Sequence, residues 1–228
     1  MHKNTIISVD MKMADIIHID LYNLFIINRF GIHLGFGDKT IEEVCKNENV
    51  DPRLFVTVCN INNSTKSIDK TDIHTEHILQ LVNFLKNSHD YYRKIRLPEV
   101  KRSIFNLSKF YDANTEKALG HFFDEYIREF KNHIEYEENT VFPYIKGLCD
   151  GVRNDDFSIN KFEDHHDNIE EKLGDLKNII IKYMSKPEHD LHKLDLLDKL
   201  FQLQDDLNRH TMIEDLLLTP MVSKLETL

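Results

Sequence analysis

One residue pattern occurs twice in this chain, and corresponding residues of the two copies lie 77 positions apart. The copies are His89-Asp90, His133, Glu137 and Pro143, and then His166-Asp167, His210, Glu214 and Pro220. Only 13 of the 228 residues are histidine, so matched histidines at two positions are improbable by chance. Core packing does not require polar residues in fixed register, but a shared metal site does. The repeat therefore predicts two similar halves that fold together around one site.

The composition favours an all-α chain. There are only 7 glycines and 5 prolines, and no segment alternates as a strand would. A hydrophobic content of 41% is enough for a core.

The net charge of −10 argues against binding to nucleic-acid backbones or anionic membranes, which both need a basic face. No apolar run approaches the roughly 18 residues that a membrane-spanning helix needs.

The cysteines and the first residues predict a cytoplasmic protein. Cys45, Cys59 and Cys149 are odd in number and show no C-x-x-C spacing, so we expect reduced thiols. Met1 to Thr5 are followed by only a short apolar stretch before Asp10, which is not the pattern of a signal peptide.

Residues 1–62 predict a small three-helix module. Its first helix is apolar and ends at Gly31, where a glycine-rich loop begins. Thr40 and Glu43 have the spacing of a capping box for the second helix. Asp51-Pro52 is typical of the start of the third helix.

A polar linker at residues 60–71 and a bundle over residues 70–228 follow. Apolar spacing and breaks predict an up-down-up-down four-helix bundle, whose first and last helices should end before Pro98 and Pro220. The predicted helices cover about 72–96, 114–146, 158–184 and 188–218. Each half of the repeat then forms one helical hairpin, and pseudo-twofold symmetry relates the two.

Six side chains are the predicted metal ligands. In each H-x-x-x-E pair the two residues lie one helical turn apart and share a face, and each of the other two helices adds one imidazole. The ligands are His89, His133, Glu137, His166, His210 and Glu214. A single pair of this kind usually makes a solvated hydrogen bond, so the prediction depends on the matched set.

The mixture of imidazole and carboxylate suits iron, manganese or zinc better than magnesium or calcium. If both carboxylates bridge two ions, each ion has two imidazoles and two carboxylate oxygens. A bridging oxo or hydroxo group brings each ion to five ligands. On an octahedral ion, one position then stays open for a small molecule.

Three further residues are candidates for positions around the site. Glu129 lies one turn before His133 and could be a carboxylate behind the ligands or in an access channel. Tyr111 could donate its hydroxyl near the site, and His165 could line an access path. The alternative is structural: Tyr111 packs on the bundle as a loop aromatic, and His165 is rotated away from its axis.

These motifs resemble the hemerythrin-like cation-binding family, and within it the di-iron proteins that repair iron–sulfur centres. The similar segments are His89-Asp90 with Leu97-Pro98, residues 133–138 with Val141-Phe142-Pro143, and residues 210–214 with Leu218-Thr219-Pro220. His166 matches on the third helix, and Glu129 matches an access-channel carboxylate. The resemblance implies a centre of two iron ions held by the six predicted ligands.

Residues 30–45 resemble the short leading domain of the same repair proteins. Their loop normally carries two adjacent cysteines, where this chain has Gly35 and Phe36. Tyr111 stands where that family often has a histidine. The leading module therefore lacks the residues for thiol-based redox chemistry or iron transfer, whereas the metal-binding motifs are retained.

The resemblance implies a response to nitrosative or oxidative stress. The centre would bind or reduce nitric oxide or oxygen, or supply iron to a damaged iron–sulfur protein. The alternative is a non-catalytic sensor that signals through a partner, which the missing cysteine pair favours. A ferritin-like oxidase is a weaker third interpretation, because those sites are rich in Glu and use E-x-x-H spacing. The sequence leaves open whether substrate is turned over and whether the chain forms a homodimer.

Overall fold

The computed structural model describes residues 5–63, 75–153, 157–159 and 169–227. In these ranges the chain is helical and has no strand, and an isolated antiparallel bridge joins Lys12 and Thr40. The predicted all-α class is confirmed. Across the same ranges, no helix combines the length and the apolar character needed to cross a membrane.

The chain divides into two compact units. The leading unit comprises Met1–Ser88, Tyr144–Lys161 and Met212–Leu228, and the bundle unit comprises His89–Pro143 and Phe162–Thr211. Residues 64–71 of the predicted linker lie outside the described part of the chain. The predicted domains, 1–62 and 70–228, therefore remain predictions.

The leading unit begins with four short helices. They are α1 (Met13–Ile19), α2 (Asn23–Arg29), α3 (Ile41–Asn47) and α4 (Pro52–Asn63). The predicted capping box is present at α3, where Glu43 N–H donates to Thr40 Oγ1 at 3.2 Å and Thr40 N–H donates to Glu43 Oε2 at 2.8 Å. The predicted glycine-rich loop follows α2, and Gly31 has a positive φ of 77°, which glycine adopts readily because it has no Cβ.

The first helix, which was predicted to run without a break to Gly31, is two helices, α1 and α2. At Asp20 the backbone is extended, and its side chain accepts a hydrogen bond from Tyr22 N–H at 2.9 Å. An aspartate that bonds nearby backbone groups competes with the helix and favours a break. The side chain of Asn23 then donates to the Ile16 carbonyl at 2.7 Å, which fastens α2 to α1.

Three long helices follow, and each contains one wide turn. The wide turns are five-residue π-helical segments, named here π1 (Tyr92–Arg96), π2 (Glu137–Val141) and π3 (Glu214–Leu218). They join α5 (Thr75–Tyr91) to α6 (Leu97–Ser108), α7 (Ala113–Tyr136) to α8 (Phe142–Cys149), and α10 (Asp190–Ile213) to α11 (Thr219–Glu226). The third helix of the bundle unit is α9 (Ile169–Tyr183).

The predicted helix ends before Pro98 and Pro220 are wrong, because both helices continue through the proline. Proline lacks an N–H, and its ring meets the carbonyl four residues earlier, which a regular α-helix cannot accommodate. Here each proline is the second residue after a π segment. The residue before each proline donates its N–H five positions back, Leu97 to the Tyr92 carbonyl and Thr219 to the Glu214 carbonyl. Phe142, which precedes Pro143, donates to the Glu137 carbonyl in the same way. The wider turn thus lets the helix pass the proline.

The core of the bundle unit draws side chains from all four of its helices. Within each α-helix, consecutive members lie three or four positions apart, as helices that bury one face require, and Tyr92 and Leu97 lie five apart across π1. The core is Tyr92, Leu97, Val100, Ile104, Leu107, Leu119, Phe123, Tyr126, Phe130, Ile134, Leu173, Leu176, Ile180, Met184, Leu196, Leu200, Leu203 and Leu207. Short connections after α6 and α9 are typical of antiparallel neighbours in a four-helix bundle.

Candidate metal centre

A buried carboxylate lies between two imidazoles at the end of α7. His89 Nε2 lies 2.9 Å from Glu137 Oε2, and His133 Nε2 lies 2.8 Å from Glu137 Oε1. The Glu137 side chain is 0% exposed, against 1% for His89 and 15% for His133. The predicted i,i+4 pair of His133 and Glu137 therefore shares a face, and an imidazole from α5 meets it there.

His210 joins this group from α10. The ligand atoms of His89, Glu137 and His210 lie within 4.8 Å of one another, and the rings of His89 and His210 are 5.2 Å apart. Glu214 follows one turn after His210 on the same continuous helix and is only 1% exposed. Among the described residues, the buried side chains that could hold a metal ion are His89, Glu137, His210 and Glu214.

Glu137 is held in its charged form. Burial by itself would raise the pKa of this carboxyl, but hydrogen bonds from His133 and His89 outweigh burial and hold the pKa well below its ordinary value. The result is a negative charge in a water-poor position, which attracts a cation more strongly than a surface carboxylate does.

A second carboxylate, which the sequence reasoning missed, orients His89. Glu138 Oε1 lies 3.0 Å from His89 Nδ1, and Arg93 holds both oxygens of Glu138, donating from Nη2 at 2.7 Å and from Nη1 at 3.2 Å. The hydrogen bond from His89, opposed by burial and reinforced by Arg93, lowers the pKa of Glu138. With Nδ1 engaged in this way, Nε2 is left directed at the ligand group, which is how metal-binding histidines are normally fixed.

One signal could have revealed Glu138. The acidic pair Glu137-Glu138 recurs 77 positions later as Glu214-Asp215. The arginine has no such signal, because Glu170 stands at the position that corresponds to Arg93.

The hemerythrin HHE cation-binding domain matches residues 80–222, which is more than half of the chain. The chain belongs to this family. No curated protein matches it. As a hemerythrin HHE domain, it binds metal cations, and the buried imidazole and carboxylate group is the part of the described structure with donors for that purpose.

Two of the π segments begin at glutamates of this HHE site. Glu137 is the first residue of π2 and Glu214 is the first residue of π3, so the wide turn follows each glutamate directly. Single π turns inside α-helices often occur at functional sites. The proline six positions after each glutamate is the sequence signal for this geometry.

The remaining predicted site residues have mixed outcomes. Glu129 forms a salt bridge with Lys172 at a half-exposed position, and its role in an access channel remains a prediction. The Tyr111 hydroxyl donates to the Met184 carbonyl at 3.3 Å, beside the start of α7. The site lies at the other end of that helix, roughly 36 Å away at 1.5 Å per residue, so the structure does not bring Tyr111 to it. His165 and His166 lie outside the described residues.

The donor set of this HHE domain fits a transition metal. Imidazoles and carboxylates together suit iron, manganese or zinc, whereas magnesium and calcium prefer oxygen ligands alone. The buried carboxylates Glu137 and Glu214 supply the negative charge that offsets a dication. Proteins seldom bury two glutamates without paired or metal-bound partners.

Proposed function

We propose that this chain is a non-haem di-iron protein that acts in nitrosative or oxidative stress. The observation that supports the proposal most directly is the buried group of His89, Glu137, His210 and Glu214. His133 is the fifth ligand of the proposal, and its Nε2 already lies 2.8 Å from Glu137. His166, from the second copy of the repeat, is the sixth.

Bound iron would supply the binding or reduction of a small diatomic molecule, nitric oxide or oxygen. The residues of the chain set the charge of the site, orient its ligands and limit the access of water. Glu137 provides a buried negative charge, Glu138 fixes the direction of His89, and Phe142 stacks on the His89 ring at 5.7 Å. The burial of His89 and Glu137, which are 1% and 0% exposed, keeps bulk water from competing for the ligand atoms. A site that releases iron to a damaged iron–sulfur protein would use the same residues.

The metal is tested first. Protein produced in iron-containing medium and purified without added metal should contain about two irons per chain, counted by plasma mass spectrometry. Anaerobic iron loading followed by air should then give charge-transfer absorption in the near-ultraviolet and visible. Zinc as the bound metal, with no such bands after iron loading, would remove the di-iron proposal while leaving metal binding intact.

The reaction is tested second. Steady consumption of nitric oxide or oxygen with a reductant, over many equivalents of protein, supports an enzyme. Recovery of activity by an oxidatively damaged iron–sulfur enzyme, only when iron-loaded protein is added, supports iron supply.

A non-catalytic sensor is the second candidate, and the leading unit favours it. Burial raises the pKa of the Cys45 thiol to about 12, and burial raises that of Cys59 well above its ordinary value. Gly35 and Phe36 replace the cysteine pair of the related repair proteins. The leading helices thus offer no thiolate at neutral pH for redox chemistry. Stoichiometric, reversible binding of nitric oxide or oxygen without turnover would support this candidate over the first.

A further inference from the structure

Asp206 is a buried carboxylate outside the predicted ligand set. It is 3% exposed and lies on α10, one turn before His210. Residues four apart share a helix face, so both side chains leave α10 on the same side. Leu203 and Leu207, on the same helix, belong to the apolar core. Burying a carboxylate in such surroundings destabilises a fold unless the charge has a partner or a use.

Tyr92 connects Asp206 to the metal ligands. Its hydroxyl donates to Asp206 Oδ1 at 3.0 Å and lies 3.3 Å from the Asp206 carbonyl oxygen. Its ring meets His210 edge-on, with centroids 5.8 Å apart and planes at 76°. Tyr92 also lies three residues after His89, so it is on the same helix face as that ligand. The hydroxyl and carboxylate therefore form the polar layer next to the ligand group.

The repeat places an acidic residue at this position in both halves. Glu129 lies 77 positions before Asp206, and each is one turn before the histidine of an H-x-x-x-E pair. The two carboxylates have different surroundings, because Glu129 is 41% exposed and pairs with Lys172 whereas Asp206 is buried. In a low-dielectric core, a charge acts on its neighbours much more strongly than it does at the surface.

We propose that Asp206, held by Tyr92, is a charge-compensating residue that strengthens cation binding at the adjacent histidine and glutamate group without being a ligand. The proposal rests on the metal-binding function proposed above. The two dications of the proposed centre together carry more positive charge than the two ligand glutamates offset, and a buried carboxylate one turn before His210 adds negative charge. Tyr92 is a positioning residue, because it acts by orienting the Asp206 carboxylate.

The test is a titration of metal-free full-length protein with Co²⁺, which reports affinity and, through its visible bands, the ligand set. Asp206→Asn keeps the shape and an acceptor for Tyr92 but removes the charge. We expect it to weaken Co²⁺ binding about 10- to 100-fold, the usual effect of residues just outside a metal's ligands. The band positions should stay unchanged, because the ligands are the same.

The matched control is Asp205→Asn, the next residue along α10. Its carboxylate is 62% exposed and pairs with Arg209, so solvent screens its charge. The affinity of the Asp205→Asn variant for Co²⁺ should stay within about twofold of the wild-type affinity. Equal losses in the two variants would mean that overall charge, not the buried carboxylate, sets the affinity, and would overturn the proposal.

Thermal unfolding without metal separates this role from a structural one. A charge kept for cation binding is a burden in the metal-free fold, so metal-free Asp206→Asn should melt at the same temperature as the wild type or higher. If Asp206 serves only the fold, the variant should melt lower and bind Co²⁺ unchanged, which would overturn the proposal. Tyr92→Phe, which keeps the ring against His210, should also weaken Co²⁺ binding, but by less than Asp206→Asn does.

If wild-type protein binds no Co²⁺, the proposed function fails. If wild-type protein binds Co²⁺ and Asp206→Asn binds it equally well, only the role of Asp206 fails.

Discussion

His89 Nε2 and Glu137 Oε2 lie 2.9 Å apart, and both side chains are almost fully buried. The contact joins the end of α5 to the end of α7. Each residue is also engaged elsewhere, His89 with Glu138 and Glu137 with His133. Removing one member should therefore disturb a connected group of imidazoles and carboxylates.

His89→Ala should lower the metal content by at least half. The substitution removes a ligand and leaves the buried carboxylate of Glu137 with one imidazole fewer, and a buried charge that loses a partner destabilises its surroundings. Metal per chain, measured on protein purified in parallel with the wild type, checks this. His121→Ala is the control, because His121 is 70% exposed and pairs with Glu125 one turn away on its own helix. Full metal content in His89→Ala would contradict the assignment of this helix.

Glu138→Gln should weaken metal binding about 10- to 100-fold without removing a ligand. The amide carries no charge, so it holds both His89 Nδ1 and Arg93 less strongly, although Arg93 keeps its hydrogen bond to Asp90 Oδ1 at 3.3 Å. Titration of the metal-free protein with Co²⁺ measures the change. Glu135→Gln is the matched control, since that neighbouring carboxylate is exposed. Equal affinity in the two variants would show that Glu138 does not act on the site.

The sequence predicted the residues of the site more accurately than it predicted where the helices end. The repeat and the i,i+4 rule were sufficient for His133 and Glu137, because four positions on a helix fix a common face whatever the rest of the fold does. The passage through Pro98 and Pro220 was not predicted, because proline normally ends a helix and the wide turn that compensates for it lies outside the i,i+4 rule.

Residues that act through long-range contacts were also missed. Arg93 meets Glu138 from a different helix, and no spacing rule links two residues that are 45 positions apart. Asp206 and Tyr92 are 114 positions apart and are paired only by the fold. The break at Asp20 in the first predicted helix was a local signal that apolar periodicity concealed, since an aspartate among apolar residues still fits the helical pattern.

Pro143→Ala should keep the helix and weaken the metal site. Alanine restores an N–H that can bond the carbonyl four residues earlier, so π2 can close into a regular α-helix. The residues after Glu137 would then rotate, which moves Phe142 from the His89 ring. We expect circular dichroism like that of the wild type and at least about tenfold weaker Co²⁺ binding.

Pro187→Ala is the control for this substitution. Pro187 begins a short 3₁₀ turn before α10 and lies outside the π segments. The metal affinity of the Pro187→Ala variant should match that of the wild type. If Pro143→Ala also matched the wild type, the wide turn would be a consequence of the proline alone, with no part in shaping the site.

Thiol reagents should distinguish Cys149 from the other two cysteines. Burial raises the pKa of Cys45 to about 12 and that of Cys59 well above its ordinary value, so neither forms thiolate at neutral pH, and the thiolate is the reactive form. Burial also raises the pKa of the Cys149 thiol, but Cys149 is only partly buried, so reagents can reach it. Native protein should therefore react at one thiol per chain and unfolded protein at all three. Cys149→Ser should abolish the native reaction; a remaining fast thiol would mean that the leading helices open readily.

Acid should release the metal before it unfolds the chain. Imidazoles must be neutral to bind a metal, so we expect metal loss as the pH falls through about 6. Glu137 and Glu138 have folded-state pKa values below their unfolded ones, so they stabilise the fold above an unfolded pKa of about 4.3. That stabilisation is lost only as the pH falls through the lower, folded-state values. Metal content and circular dichroism measured from pH 7 to 3 should show two separate transitions, and loss of helix together with the metal near pH 6 would mean that the metal itself holds the bundle together.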